Sequence, residues 1–397
     1  MVTLEKKSTS TEGWGKMIFD NFDFEFLRLI GISKYIPTGL YRKYDMSIFD
    51  SGIIYNLLHH RLIKMSNDRR SYKLTKRGRD SLKDMGFDDA KYARTDIKRG
   101  TYVRLLKNGQ WNLLLTLAGI DIYCENARQL AETECRYLSS LFLRADDSVK
   151  VLAGTKFLGI LKIADIVYIP YYVENTSSWI LPSFEKEVYE AQTDSIGNIK
   201  AIRYILVGES LEELWGILHT KEEISMSNGR KTFKRVLEEC VNEYILVPFG
   251  RDGVMQMSIL KDLRYRERLA HALGLRRIKF LSECDGIKDK TPYIIAIDCN
   301  IRRIIQAIEQ IERYDNKLVP RVCCLSFQKS IIIKVIRKYK LPKTIVTAIP
   351  KDVMYTVFPE LCNNKERKRK PCMKEGEYIG VGKIYFTNDE KADIPEL

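Results

Sequence analysis

The chain has 397 residues, 45% of them hydrophobic and 30% charged, with no Pro-, Gly- or Gln-rich tract. That balance excludes a single small core and an extended disordered polymer, and it predicts two or three folded domains. A formal net charge of +14 argues against a predominantly acidic surface, and it signals a polyanionic partner where the charge is concentrated.

It is concentrated near the amino terminus. Residues 1–110 hold 22 Lys and Arg against 13 Asp and Glu, and residues 61–79 hold eight basic side chains against Asp68 alone. A second run, Lys365, Arg367, Lys368, Arg369 and Lys370, reads as a phosphate contact or a solvated loop. The opening residues lack the apolar run of a secretory signal, and no stretch approaches the roughly 18 uncharged apolar residues of a membrane span. A cytoplasmic protein without membrane contact is expected. Nine cysteines form no CxxC pair and four histidines are scattered, so free thiols, no metal site and no cofactor are expected.

In chain order, Phe24, Leu27 and Ile30 recur at helical spacing with Gly31 as a stop, which predicts a first helix. A second runs from about Pro37 to Tyr44. A third opens at Ser47, where the hydroxyl and Asp50 form a capping pattern, and continues to about His60 with Ile54, Leu57 and Leu58 as its apolar face. The period then changes to alternation in LIKMS and SYKLT, with NDRR as the tip of a hairpin.

Three helices and a hairpin are the order of a winged helix-turn-helix, assigned to residues 1–90. In such a domain the third helix enters the major groove, so Ser51, Tyr55, Asn56 and His59 are the candidate base readers. Arg69 and Arg70 at the tip, with Lys76, Arg77 and Arg79 behind them, are the candidate phosphate contacts. His59 and His60 are adjacent and point to different sides of a helix, which disfavours a metal pair.

Residues 91–150 read as a connector. Within it, Leu115-Thr116 and Gly119 echo Leu74-Thr75 and Gly78 and suggest a second, partial winged-helix element. An amphipathic helix is expected over 127–144. Residues 151–397 combine a β-rich segment with an α/β domain: KFLGILK and DIVYIPYYV are strands, and beyond residue 200 apolar strands alternate with amphipathic helices. That alternation predicts a mainly parallel sheet. The fold class is therefore multidomain, α+β and α/β.

Ligands of parallel sheets sit at the carboxyl ends of strands, which marks Gly208-Glu209-Ser210, Asp298 and Ser326 as the rim. Asp298 reads either as a functional carboxylate or, preferably, as the cap of the helix that follows. Asp165 with Glu185 and Glu187 resembles the acidic set that holds Mg²⁺ in PD-(D/E)XK-like endonucleases, but Lys186 between the glutamates points to the other side of a strand. A non-enzymatic protein is the preferred expectation.

The YKLTKRG ending, the basic connector, the segment KFLGILK…VYIPYYVENTSSW…E and the CCLSFQ strand end together resemble the replication-relaxation proteins, which are encoded beside relaxases on conjugative plasmids and integrative elements. The resemblance spans the order of most of the chain through short motifs. It implies an accessory protein that binds double-stranded DNA in replication or conjugative transfer, with a relaxase or replication protein as partner; a homodimer is compatible with it. It brings no catalytic residues. The residues leave two alternatives open: a Mg²⁺-dependent endonuclease, or a winged-helix transcriptional regulator with a ligand-sensing α/β domain.

Overall fold

The structure, a computed structural model, describes residues 21–44, 51–87, 99–143, 156–175, 179–180, 190, 194, 196–219, 231–233, 235, 243–277 and 281–363. The described residues divide into two compact units, residues 21–109 and residues 110–363. That division falls later than the expected boundary at 90.

The first unit contains α1 (Asn21–Ser33), β1 (Ile36–Pro37), α2 (Leu40–Tyr44), α3 (Ser51–His59), β2 (Ile63–Met65), β3 (Ser71–Leu74), α4 (Lys76–Asp84) and the first turns of α5 (Arg99–Leu117). The three strands form an antiparallel sheet in the order β1-β3-β2. Helix α1 buries Phe26, Leu27, Leu29 and Ile30. It runs past Gly31, because the left-handed residue that ends it is Lys34, at φ 66°.

Strand β1 has no counterpart among the expected elements. Two residues are too few to show alternation, and Ile36 and Pro37 are held by their partners Tyr72 and Ser71. Helix α3 buries Ile53 and Leu57, while Ile54 and Leu58 are half-buried, so its inward face is turned from the expected one. Ser47 lies outside the described residues.

Helix α4 shows why Leu74-Thr75 is followed by Gly78. Thr75 caps the helix, accepting from the Gly78 amide at 3.0 Å, and its hydroxyl lies 2.6 Å from the Arg61 carbonyl and 3.1 Å from that of Leu62. The similar Leu115-Thr116 has the opposite role. Thr116 sits in the last turn of α5 and donates to Asn112 O at 2.9 Å, and Gly119, at φ 76°, closes that helix. One pair opens a helix and the other ends one, so residues 115–119 do not copy 74–78.

The second unit continues with β4 (Asp121–Cys124), α6 (Ala127–Ala131), β5 (Cys135–Ser139), α7 (Ser140–Leu143), β6 (Gly159–Ile163), β7 (Ile166–Tyr172), β8 (Trp179–Ile180), β9 (Ala201–Gly208), α8 (Leu211–Leu218), β10 (Lys231–Thr232), β11 (Tyr244–Pro248), α9 (Arg251–Leu260) and α10 (Tyr265–Ala272). It ends with β12 (Gly286–Lys288), β13 (Thr291–Ile295), α11 (Ile301–Tyr314), β14 (Arg321–Cys324), α12 (Lys329–Lys338), β15 (Ile345–Ala348), α13 (Lys351–Val357) and α14 (Glu360–Asn363). The helix expected over 127–144 is interrupted by β5, whose Tyr137 and Leu138 are buried in the sheet.

Two larger sheets replace the single, mainly parallel one. The six-stranded sheet has the order β11-β9-β7-β6-β5-β4. Its β11-β9, β9-β7 and β5-β4 pairs are parallel, and its β7-β6 and β6-β5 pairs are antiparallel. The four-stranded sheet has the order β12-β13-β14-β15, parallel except at β12. The expected connector therefore supplies two strands, β4 and β5, to the same sheet as the β-rich segment.

Helices α11 and α12 are apolar on two sides. Ile301, Ile331 and Val335 pack into the core of the larger sheet, and Ile304, Ile308, Ile311 and Ile332 into that of the smaller. Among the described residues, no helix is long and apolar enough to cross a membrane.

Candidate nucleic-acid interface

Helix α3 has Ile53 and Leu57 committed to the core, which leaves its other face toward solvent. Tyr55 is 57% exposed and His59 is exposed, with Asn56 half-buried between them. The rings of Tyr55 and His59, four residues apart, stack at 5.8 Å with an interplanar angle of 15°. Ser51 opens the helix.

The β2–β3 hairpin carries the expected tip. Arg69 and Arg70 are both exposed, and Arg69 takes a left-handed φ of 55° that turns the chain back into β3. The tip is held by a polar knot. Ser66 donates to Asp68 Oδ1 at 2.5 Å, the Arg70 amide donates to the same oxygen at 3.1 Å, and the Ser71 amide donates to Ser66 Oγ at 3.1 Å. The Tyr102 hydroxyl, from α5, lies 3.0 Å from Asp68 Oδ1, 3.2 Å from Ser66 Oγ and 3.0 Å from Ser71 Oγ. The Ser66 bond, ahead of those from the Arg70 amide and Tyr102, holds the Asp68 carboxyl below its usual range. Thr38, just after β1, binds the tip from the other side through the carbonyls of Arg69 and Arg70.

Tyr102 was missed in the sequence because it is thirty-odd residues away on a separate helix, and no local pattern announces it. Replacing Tyr102 with Phe removes a hydroxyl shared by three partners and should cost the hairpin about 1–2 kcal/mol of local stability. Amide exchange at Arg70 and Ser71 should then quicken roughly 5- to 30-fold, with the α1 core amides unaffected. Unchanged exchange at the tip would remove Tyr102 from this role.

Cations are crowded together around this surface. Lys64 and Lys73 are directly opposite one another on β2 and β3, an arrangement that destabilises a sheet by itself. Burial, then the neighbouring Arg61, lowers the pKa of Arg77. Burial, then Arg79, pulls the Lys34 ammonium down to about 8. Burial, then His59 and Arg77, pushes His60 down to about 4, so it is neutral at physiological pH. Lys76 is exposed, and Arg77 and Arg79 are half-buried along α4.

The other expected site residues are not brought together. Asp165 lies not on a strand but in the β6–β7 turn, after Ala164 at φ 49°, and accepts from Lys200 at 2.8 Å. Glu185, Lys186 and Glu187 lie outside the described residues, as does the run at 365–370. Among the described residues, no three His, Cys, Asp or Glu side chains gather as a metal site. The cysteines at 124, 135, 284, 299, 323 and 324 are free thiols.

Two rim positions of the second unit, Ser210 and Asp298, are engaged within the fold. Ser210 caps α8, accepting from Glu213 N at 3.1 Å. The cap of α11 is Asn300, which accepts from Arg303 N at 3.1 Å, and not Asp298. Asp298 is buried and paired with Arg266; burial alone would raise its pKa, but Arg266 and Arg303 hold it low. Arg303 in turn pairs with Asp285 at 2.7 Å and donates to Ile295 O at 2.9 Å. This network ties strand ends to helices α10 and α11.

Comparison of the chain with family models, curated proteins and solved structures finds no match.

Proposed function

We propose that the first unit is a winged helix-turn-helix domain that binds double-stranded DNA, with α3 as the groove helix and the β2–β3 hairpin as the wing. The element order α1-β1-α2-α3-β2-β3 with a β1-β3-β2 sheet supports the domain type. The observation that carries the binding reading is the crowding of like charges: Lys64 opposite Lys73, Arg61 beside Arg77, and Arg79 beside Lys34. Holding cations together costs folding free energy that a phosphate backbone offsets on binding.

On this reading Tyr55, Asn56 and His59 meet base edges, while Arg69, Arg70, Lys76, Arg77 and Arg79 meet phosphates. The resemblance to replication-relaxation proteins extends the proposal to a cytoplasmic accessory protein acting at the origin of a mobile element, alongside a relaxase or replication protein. The second unit serves that assembly and has no catalytic part in it.

The test is selection of bound duplexes from a random pool. The parent protein should enrich a sequence, and Asn56→Ala should relax the preference at one position by about 1–3 kcal/mol without changing the salt dependence. Enrichment of no sequence by the parent, or the same sequence recovered with Asn56→Ala, would remove α3 as the reader.

A further inference from the structure

We propose that the second unit carries a separate site for single-stranded DNA, formed by α12 and the residues after it together with the end of α8. Residues 329–343 contain six basic side chains and no acidic one. Lys329, Lys334, Arg337, Lys338, Lys340 and Lys343 are all exposed. Among the described residues Lys329, Lys334, Arg337, Lys340 and Lys343 form no ion pair.

Helix energetics do not account for this charge. Cations favour the last turn of a helix, which explains Arg337 and Lys338, but Lys329 stands in the first turn, where positive charge is disfavoured. Lys334 and Lys338 are four apart and repel along one face. Glu212, from α8, accepts from Ser330 at 2.6 Å, at the amino-terminal end of the helix.

Aromatic rings occupy the same place. Tyr339, directly after α12, is 43% exposed. It meets His219 edge-on at 6.5 Å, and His219 lies against Trp215 at 3.6 Å between ring centroids. The Lys338 ammonium lies 5.8 Å from the Trp215 ring and 6.0 Å from that of Tyr339. An exposed ring backed by two others and flanked by cations is the arrangement that stacks a base while holding its phosphates.

The ring is what selects the ligand class. Bases in a duplex are stacked on one another and offer only their edges, so among nucleic acids a ring face serves an unpaired base. An acidic polyelectrolyte such as polyglutamate would use the cations and leave Tyr339 idle.

The experiment is fluorescence anisotropy of a labelled oligothymidylate with the full chain across a range of salt. Binding should weaken linearly in log salt. Tyr339→Ala should cost about tenfold or more in affinity with the slope unchanged, and Tyr339→Trp should retain binding. Neutralising Lys334, Arg337 and Lys340 to Gln should reduce the slope by up to about two units, at roughly 0.7 per phosphate contact. Arg69→Ala with Arg70→Ala should leave the Tyr339-dependent part of this binding intact, which keeps the outcome separate from that of the duplex reading. No binding by the parent, equal binding by Tyr339→Ala, or loss of binding only in the Arg69 and Arg70 variant would each overturn the proposal. Competition by polyglutamate as effective as that by unlabelled oligothymidylate would overturn it too.

Discussion

Alanine at position 78 is expected to unfold the first unit at temperatures where the parent is intact. A Cβ on Gly78 would lie 2.1 Å from the Leu62 carbonyl oxygen and 3.0 Å from its carbon. Both are backbone atoms, so no side-chain rotation relieves the clash. The Leu62 carbonyl also accepts the Thr75 amide at 3.0 Å, and the Thr75 hydroxyl lies 3.1 Å from it. Separating α4 from Leu62 therefore breaks the bonds that close the hairpin. Overpacking of about 1–3 kcal/mol and lost hydrogen bonds of about 1 kcal/mol each sum to roughly 3–5 kcal/mol. A domain of this size moves by about 4–8 °C per kcal/mol, so the first thermal transition should fall by about 15 °C or more. Thr75→Ser, which keeps the cap, is the control. An unchanged transition in Gly78→Ala would show that α4 does not rest on Leu62.

Removing both hairpin arginines should weaken duplex binding in a manner set by salt. Each phosphate contact contributes about 0.9 to the slope of log affinity against log salt. Arg69→Ala with Arg70→Ala should therefore lower that slope by up to about 1.8. The gap between parent and variant should then narrow about tenfold as salt rises from about 50 to 200 mM. The loss should be equal on unrelated duplexes, because phosphates carry no sequence. Titration of two such duplexes over that range checks both points. Parallel salt lines, or a loss confined to one sequence, would take the hairpin out of the interface.

The first unit was legible where a pattern is local. LIKMS and SYKLT read as strands from their local pattern, and β2 and β3 lie within them, although burial along them does not strictly alternate: Leu62 and Ile63 are both buried and Lys64 and Met65 both exposed. The Leu-Thr pair with a glycine shows the limit of such reading. Identical residues at 74–75 and 115–116 meet different backbones, and only the neighbours decide which pair caps and which closes. The tip residues Arg69 and Arg70 were visible as charge, whereas the knot of Ser66, Asp68, Ser71 and Tyr102 that orients them joins a hairpin to a distant helix.

In the second unit alternation announced strands and helices but not their partners. Near-continuous apolar strands such as β7 are covered on both faces whether their neighbours run parallel or antiparallel. Hydrophobicity therefore could not separate one sheet from two, or show that β4 and β5 join the larger one. The cap of α11 was misassigned by two residues for a related reason: Asp298 and Asn300 have similar capping strengths, and the buried pair with Arg266 takes Asp298 out of the competition.

What the sequence alone determined is the placement of charge and apolar period, since both are properties of neighbours along the chain. Pairing, register and the company each charged group keeps were decided by the tertiary structure, because they depend on contacts between residues far apart in sequence. No local spacing encodes those contacts.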